Sequence, residues 1–325
     1  MAISTPVQMD NARVIESLDI MGFGCQRGAM FARAAPAIFV CLWATGFVGA
    51  RMGMPHSEPG TFLSLRFAIA FVLLTLIVLI VRAPWPGTRT ALKSIAIGFL
   101  IHGTYLGPVF WVIDQGMPAG VSAVVVGLQP LFTAFLAGWW LKEVITPRHW
   151  VGLALGMTGV CLVLYPGLDL AASGVNALTI CVALIGMLSV TIGTVFQKSL
   201  GSHIDLRAGT ALQYLGAFIP VFVLALVSET GAIDWTGEMM LAMVWSIFVL
   251  SLFAIFLLMW LIREGSVAKV SSLFFLVPAV AALMSYFLFG EKLDSVQLVG
   301  MIICALAVAM AAGRQKLETK VSVAK

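Results

Sequence analysis

The chain has 325 residues, of which 61% are hydrophobic and only 10% are charged, and its mean hydropathy is +1.04. Soluble globular domains carry about 25% charged residues, so this composition excludes a soluble protein and predicts an integral membrane protein. The net charge of +4 does not indicate a nucleic-acid partner. Basic residues concentrated in the cytoplasmic loops of a membrane protein explain it.

The first 33 residues are of mixed polarity and lack the apolar core of a signal peptide. Residues 1–33 are therefore expected to form a cytoplasmic N-terminal tail, within which residues 14–31 could form a short interfacial helix. Ten apolar runs follow, each long enough for a helix that crosses the bilayer. The predicted spans are residues 34–54, 59–81, 91–114, 118–141, 149–165, 176–198, 206–227, 238–262, 267–289 and 295–312.

The basic residues orient these spans. Sixteen of the 19 Lys and Arg residues fall on one side of the membrane when the N-terminus is placed in the cytoplasm. Arg51 and Lys292 fall on the other side, and Arg66 falls within the second span. Because cytoplasmic loops are enriched in Lys and Arg, both termini are predicted to be cytoplasmic.

The five cysteines form no CxxC pair and have no metal-ligand spacing. Neither a disulfide framework nor a metal site is therefore predicted from Cys25, Cys41, Cys161, Cys181 and Cys304. Four of them lie in apolar runs, where a thiol behaves as a small hydrophobic group. The sequence predicts no cofactor.

The two halves of the chain share a pattern at a spacing of about 149 residues. Residues 116–122 match residues 265–271 at four of seven positions. Further matches in the same order are Pro130 with Pro278, Glu143 with Glu291, and Leu65-Arg66-Phe67 with Leu212-Gln213-Tyr214. Because five is an odd number, a second set of five helices must enter the membrane in the opposite sense. Such inverted repeats are the architecture of many secondary transporters.

The Gly-x-x-Ala-x-Val-Ser start of the fourth span, its proline, and Leu141-Lys142-Glu143 at its end resemble the EamA repeat, and the same marks recur in the ninth span. The chain is therefore similar to the drug/metabolite transporter superfamily. The resemblance implies an all-α membrane protein with ten transmembrane helices in two inverted five-helix EamA repeats around a central cavity. The repeats are expected at residues 34–165 and 174–313, with a cytoplasmic C-terminal tail at 314–325.

Within that superfamily the chain resembles the bacterial amino-acid exporters, including those for aromatic amino acids. This narrower resemblance implies a multi-pass protein of the bacterial inner membrane. Its expected partners are the lipid bilayer and a small-molecule substrate, an amino acid or a related metabolite. The chain is expected to act as a monomer.

Polar side chains near the middle of the spans are the candidates for a substrate site. His102 and Tyr105 lie three residues apart, and hence on one face of a helix, where they could line a cavity or make interior hydrogen bonds. Gln129 lies next to Pro130, and a proline removes one helical hydrogen bond and frees a carbonyl. Pro278 repeats this feature in the ninth span, so both prolines are predicted to form gating or cavity kinks.

Further candidates for substrate binding are Trp43, Ser251, Trp260 and Phe275. Aromatic side chains in a membrane bundle are also common at lipid-facing and packed positions, which is the competing interpretation of each. Arg66 lies some seven residues into the second span. It could bind a carboxylate, but snorkelling or bonding to helix-end carbonyls is the favoured interpretation.

These features predict a secondary transporter that exports small neutral or zwitterionic metabolites, above all amino acids, by alternating access without tight proton coupling. A proton-coupled multidrug or metabolite carrier is the alternative, although none of the ten spans holds an acidic residue near its centre. A channel and an intramembrane enzyme are further alternatives. The sequence lacks the ring of charge or filter loop of a channel and the Gly-x-Ser-x-Gly element of a serine hydrolase.

Overall fold

The structure is a computed structural model that describes residues 23–165, 170–171, 174–200, 204–290 and 293–311. The predicted C-terminal tail, most of the N-terminal tail, and the repeat marker Glu291 lie outside these residues. Within the described ranges the chain forms ten helices in chain order. Nine are long and apolar enough to cross a membrane, and the tenth is a shorter apolar helix of 17 residues.

The first five helices are α1 (Phe23–Gly53), α2 (Pro59–Ile80), α3 (Thr88–Asp114), α4 (Ala119–Val126 followed by Gln129–Trp140) and α5 (Pro147–Leu164). The second five are α6 (Ala177–Ser199), α7 (Leu206–Ser228), α8 (Gly237–Glu264), α9 (Val267–Ser272, Leu273–Phe275 and Leu276–Phe289) and α10 (Ser295–Ala311). The predicted ten-helix, all-α fold is confirmed. The bounds agree with the predicted spans to within three residues, except that α1 begins at Phe23, inside the predicted N-terminal tail.

Two helices are interrupted immediately before a proline. A proline cannot donate to the carbonyl four residues earlier, and its ring crowds that carbonyl. The residue four positions before Pro130 is Val126, where the first part of α4 ends. The residue four positions before Pro278 is Phe274, which lies in the 3-10 turn within α9. The two interruptions therefore have the same local cause in the two halves of the chain.

Two further helices widen locally into π-helix. The π stretch of α3 covers Phe99–Gly103 and that of α8 covers Ser246–Ala254, again at equivalent places in the repeats. In α3 the hydroxyl of Thr104 donates to the Phe99 carbonyl oxygen at 2.9 Å, which satisfies a group that the wider turn leaves free. Such stretches rotate the side chains that follow them relative to a regular helix.

The packing of the helices follows the inverted repeat. The two most extensive contacts join equivalent helices of the two halves, α2 with α7 and α5 with α10. Other contacts come in equivalent sets, since α3 and α4 pack on α6 as α8 and α9 pack on α1. One apolar cluster with members from every helix fills the interior.

The α5–α10 contact is built on small residues. A Cβ added at Gly300 would lie 2.7 Å from the Val163 nitrogen, and one added at Gly159 would lie 2.7 Å from the Cys304 Sγ. Small residues let membrane helices approach until their backbones touch, which maximises van der Waals contact. In the Gly152-x-x-x-Gly156 pattern, Gly152 belongs to this contact and faces Ala307 and Met310, whereas Gly156 faces Phe275 of α9.

The two ends of the bundle differ in charge. The end at which α2, α4, α6 and α8 finish, here named the basic end, carries all described Lys and Arg side chains except Arg66. These are Arg82, Arg89, Lys93, Lys142, Arg148, Lys198, Arg207, Arg263 and Lys269. The opposite end carries Glu58, Asp114, Glu229, Asp234, Glu238 and Asp294.

Candidate functional site

A hydrogen-bonded cluster lies inside the bundle where α2, α7 and α8 meet. Arg66 of α2 donates from Nε to the hydroxyl of Ser251 in α8 at 2.8 Å. The hydroxyl of Tyr214 in α7 donates to the backbone carbonyl of the same serine at 2.8 Å. Ser251 lies within the π stretch of α8, so a local irregularity of the backbone presents both of its oxygens to the other two helices.

Arg66 has no acidic partner in this cluster. Among the described residues no carboxylate lies within ion-pair distance of its guanidinium, which has five N–H donors. The sequence favoured snorkelling or bonding to helix-end carbonyls for Arg66, whereas the structure shows its Nε donating to a serine hydroxyl within the bundle. A cation held inside a membrane protein by neutral groups alone is expensive and is a mark of a functional site.

An aromatic layer adjoins the guanidinium. The His102 ring stacks on the Tyr214 ring, with centroids 5.2 Å apart and planes inclined by 5°. Phe67 packs against the same tyrosine at 5.8 Å. The stack is possible because α3 and α7 approach closely. Their backbones touch at Gly98 of α3 and Gly216 of α7, where a Cβ would collide with the backbone of the other helix.

His102 and Gln213 each retain a polar atom without a hydrogen-bond partner. His102 is 3% exposed and its Nε2 makes no hydrogen bond. Gln213, 1% exposed, donates from Nε2 to the Oε1 of Gln197 at 2.6 Å, but its own Oε1 has no partner. Buried polar groups in proteins are nearly always hydrogen-bonded, so atoms of this kind indicate a place where a ligand can bind.

Both halves of the chain match the model of one protein family, described as the EamA-like transporter family, over residues 29–165 and 177–313. The chain belongs to this family. Three relatives of this EamA-like transporter have names that describe transport. It is 28% identical to the "Uncharacterized inner membrane transporter YedA" of Escherichia coli (strain K12) over 87% of its own length and 89% of that protein's.

The second relative is the "Uncharacterized transporter YvbV" of Bacillus subtilis, with 24% identity over 87% of this chain and 92% of that one. The third is the "Probable amino-acid metabolite efflux pump" of Salmonella typhimurium, with 26% identity over 82% of this chain and 89% of that one. A solved structure described as "Crystal structure of protein" superposes with a TM-score of 0.72 at 17% identity. It covers 86% of this chain and 95% of that chain, and it shows the fold alone.

The structure brings together two of the residues proposed from the sequence. His102 and Ser251 meet through Tyr214, which stacks on the first and donates to the second. Tyr105 is half-buried and packs against the main apolar cluster. Gln129 and Pro130 are buried at the start of the second part of α4.

Two of the proposed aromatic residues, Trp43 and Phe275, have their contacts in other parts of the bundle. Trp43 of α1 forms a separate cluster with Phe39 and Phe274, with ring centroids 5.3 Å from each. Phe275 is buried against Gly156 of α5 and is not in this cluster, whereas its neighbour Phe274 is. Trp260 is half-buried in α8. Pro278 of α9 is likewise half-buried.

Sequence reasoning did not select Tyr214, Gln197 or Gln213 as site residues. The signal that points to two of them was present, since Leu65-Arg66-Phe67 and Leu212-Gln213-Tyr214 are equivalent triplets of the two repeats. In the structure these triplets face each other across the α2–α7 contact. The equivalence of these triplets in the two repeats was therefore the sequence signal for this contact.

Glutamates link the repeats at both ends of the bundle. At the basic end, Glu143 after α4 accepts hydrogen bonds from the N-terminus of α9: from the Ser266 hydroxyl at 2.6 Å, the Val267 nitrogen at 2.9 Å and the Ala268 nitrogen at 3.2 Å. At the opposite end, Glu229 after α7 accepts from the nitrogens of Gly60 and Thr61 at 2.6 Å each. Each carboxylate thus caps a helix of the other repeat.

Proposed function

We propose that this EamA-like transporter exports small neutral or zwitterionic metabolites, amino acids including aromatic ones above all, by alternating access and without tight proton coupling. The observation that carries the proposal is the Arg66 guanidinium, held between the repeats by the neutral Ser251 rather than by a carboxylate. Charge-assisted hydrogen bonds from Arg to a carboxylate are stronger than those to a hydroxyl. A substrate carboxylate would therefore compete well for this cation.

The surroundings of Arg66 suit the rest of an amino acid. His102, Tyr214 and Phe67 provide flat apolar faces with few polar atoms, which favours neutral side chains and aromatic ones in particular. Sites near the membrane midplane at the interface of inverted repeats are where secondary transporters bind substrate. The relative named "Probable amino-acid metabolite efflux pump" supports the same substrate class.

We further infer that the basic end is cytoplasmic, with both termini on that side, and that the membrane is a bacterial inner membrane. The charge difference between the two ends supports the orientation through the enrichment of cytoplasmic loops in Lys and Arg. The name of the Escherichia coli relative, which includes "inner membrane", supports the location. Export then means movement from the basic end to the opposite end.

A carrier of organic cations fits less well. In the described helices the only acidic residues are Asp114, Glu238 and Glu264, all within the first or last turn of a helix. An efflux carrier for cations would need a buried carboxylate to replace the water lost by the substrate. The one buried charge in the cluster is instead positive.

The test is uptake of radiolabelled amino acids, one at a time, into proteoliposomes that contain the purified protein. Arg66→Gln is expected to raise the half-saturating concentration of a transported amino acid about tenfold or more, as expected for the loss of a charge-assisted hydrogen bond. Arg66→Lys, which keeps the charge, is expected to retain more of the affinity. Arg89→Gln, at an exposed arginine of the basic end, is the control and should leave uptake unchanged. Absence of uptake for every amino acid, or an unchanged half-saturating concentration in Arg66→Gln, would overturn the proposal.

A further inference from the structure

The described cations of the basic end are used differently in the two halves of the chain. Those of the second half are half-buried, and at least three of them bind other groups of the protein. Lys198 donates to two backbone carbonyls at 2.7 and 2.8 Å, Arg207 binds the Asp205 carboxylate, and Arg263 donates to a backbone carbonyl. Those of the first half are all exposed, and no described carboxylate lies within ion-pair distance of any of them: Arg82, Arg89, Lys93, Lys142 and Arg148. The first half therefore presents its cations to the surroundings.

Lys142 adopts a left-handed backbone conformation where α4 ends. Its φ is +56°, and the backbone nitrogen of Glu143 donates to the Ala137 carbonyl oxygen at 3.2 Å. Glycine is the residue that usually takes this conformation after a helix, and α9 ends on Gly290, with a φ of +67°. A lysine at such a position costs free energy that a glycine would not. Retention of a loop in the cytoplasm requires a cation only near the end of a span, so it does not account for a lysine at this particular position.

Three exposed tryptophans flank this turn in the sequence. Trp139 and Trp140 precede it and are 63% and 49% exposed, and Trp150 in the first turn of α5 is 40% exposed. The Trp140 ring packs against Trp139 and against Phe196 of α6, with centroids 6.0 and 5.0 Å away. Exposed tryptophans in membrane proteins are enriched at the level of the lipid headgroups. Lys142 and Arg148, within and just after the short connection from α4 to α5, therefore lie at the level of the phospholipid phosphates.

We propose that the α4–α5 corner, made of Trp139, Trp140, Lys142, Arg148 and Trp150, binds the headgroup of an anionic phospholipid. The Lys142 ammonium and the Arg148 guanidinium bind the phosphate, and the tryptophan rings pack against the glycerol backbone and the upper part of the acyl chains. Clusters of Lys and Arg beside membrane helices attract anionic lipids in this way. A zwitterionic phospholipid carries an ammonium group that these two cations repel, so the corner discriminates against it. The inference does not depend on the substrate of the transporter.

The experiment measures lipid binding to the full-length protein, purified in a nonionic detergent and stripped of lipid. Native mass spectrometry counts the bound molecules during a titration with dioleoyl phosphatidylglycerol, which is anionic, or with dioleoyl phosphatidylcholine, which is zwitterionic and has the same acyl chains. The variants are Lys142→Gln, Arg148→Gln and Lys142→Gly. Arg89→Gln, at an exposed arginine of the same end but outside the corner, is the matched control. Thermal unfolding without lipid checks that each variant is folded.

The unmodified protein is expected to bind phosphatidylglycerol at lower concentration than phosphatidylcholine. Lys142→Gln and Arg148→Gln should each raise the half-saturating concentration of phosphatidylglycerol about fivefold, as expected for the loss of one cation near an anionic headgroup. Arg89→Gln should leave it unchanged. Lys142→Gly should weaken phosphatidylglycerol binding as Lys142→Gln does, yet unfold at no lower temperature than the unmodified protein, because glycine fits the left-handed backbone.

Four results would overturn the proposal. Equal affinity for the two lipids would show that the headgroup charge is not recognised. A loss in Arg89→Gln as large as that in Lys142→Gln would show that a cation anywhere at this end suffices, and that the corner is not the site. Displacement of phosphatidylglycerol by inorganic phosphate at similar concentration would show a site for the free ion rather than for a lipid. A Lys142→Gly variant that keeps its affinity for phosphatidylglycerol and unfolds at lower temperature would show that Lys142 has a structural role only.

Discussion

Arg66 and Gln213 occupy equivalent positions of the two repeats, yet only one of them is charged. An inverted repeat with the same residue in both halves would present a nearly symmetric site. The substitution of an amide for the guanidinium in the second half makes the centre asymmetric. A zwitterion bound there would have its carboxylate on the α2 side, where Arg66 meets Ser251. Such asymmetry lets a carrier built from two similar halves orient its substrate.

Glu58 provides a pH-dependent contact outside the membrane-spanning helices. The backbone N–H of Thr230 is the main cause that lowers the pKa of Glu58 below its ordinary 4.5, and the hydroxyl of Thr230 and the N–H of Gly231 act in the same direction. A lowered pKa means that the folded state favours the carboxylate. The stabilisation is therefore present above the ordinary pKa and is lost as the pH falls through the lowered value.

Glu58→Gln is expected to lower the thermal unfolding temperature of the detergent-solubilised protein at pH 7, because an amide accepts these hydrogen bonds more weakly. The difference from the unmodified protein should shrink as the pH falls below 4.5. Thermal unfolding monitored at a series of pH values tests this. A difference that stays constant into acid would show that the carboxylate charge is not the cause.

Of the residues chosen from the sequence, those at which polarity and depth in the membrane coincide lie in the central cluster. His102 and Ser251 are polar side chains near the middle of long apolar runs, and both belong to the central cluster. Trp43 and Phe275 were chosen as aromatic residues, and their partners lie in other contacts. Aromatic side chains stabilise a helix bundle by packing at many places in it. An aromatic residue type therefore says little about where a substrate site lies. The place of a residue in the bundle depends on contacts between helices that are distant in the chain, and these cannot be read from residue type.

Among the helical elements, the α4–α9 contact at the basic end depends on one carboxylate. Glu143 accepts three hydrogen bonds from the first residues of α9. Hydrogen bonds to charged groups contribute about 1.5–3 kcal/mol each, and Glu143→Gln removes the charge but keeps the shape. Glu143→Gln is therefore expected to unfold at a lower temperature than the unmodified protein. Glu143→Asp keeps the charge, so its unfolding temperature is expected to fall by less.

Glu264→Gln is the matched control for this variant, since Glu264 lies exposed at the same end of the bundle. Its unfolding temperature should equal that of the unmodified protein. If the two Glu→Gln variants unfold at the same temperature, the Glu143 contact contributes nothing to stability.

The glycine-lined contact between α5 and α10 tolerates no added side chain. Backbone atoms of α5 lie on the Cβ side of Gly300, and they cannot move away as a flexible side chain would. Gly300→Ala is expected to cost about 1–3 kcal/mol through forced separation of the helices. Gly87→Ala has nothing within 4 Å of the added Cβ and is the matched control. The test is to compare the thermal unfolding temperatures of the two variants. Equal unfolding temperatures would show that the helices separate without cost.

The helices themselves were predictable because apolar length is the main requirement of a membrane span. Their irregularities were predictable only in part. Pro130 and Pro278 mark the interruptions of α4 and α9, because proline removes a specific hydrogen bond. The π stretch of α8 contains no proline, and its sequence, rich in Phe, Leu and Ser, resembles any regular apolar helix. It rotates Ser251 toward Arg66, so the cluster could not be read from helical periodicity.

At the scale of the whole molecule, the charge difference between the two ends predicts the topology. A reporter fused after Lys325 and one inserted in the 165–175 loop are expected to report opposite sides of the membrane, the first cytoplasmic. The reason is the concentration of Lys and Arg at the basic end, which the membrane-insertion machinery keeps in the cytoplasm. Reporters on the same side would contradict both the helix count and the proposed direction of export.

Energy coupling is a property of the whole molecule, and the acidic residues of the described helices bear on what we expect of it. Proton-coupled transporters pass protons along chains of Asp, Glu and His within the membrane. The described helices have carboxylates only in their terminal turns. Of the histidines that the structure describes, His102 lies near the middle of the bundle. Its ring contacts Tyr214 and Phe67, and the described residues place no carboxylate beside it.

We therefore expect substrate to move down its own gradient, so that cytoplasmic accumulation drives export. Proteoliposomes with labelled amino acid outside and no imposed ion gradient should show uptake, and a pH step of either sign should change the initial rate little. His102→Ala should leave the response of the uptake rate to a pH step unchanged. Because the variant loses the ring that stacks on Tyr214, we expect it to lower the affinity for the amino acid. Uptake that occurs only with a pH step would contradict the expectation. If His102→Ala then removed that dependence, the stacked imidazole would be the proton-binding group of the carrier.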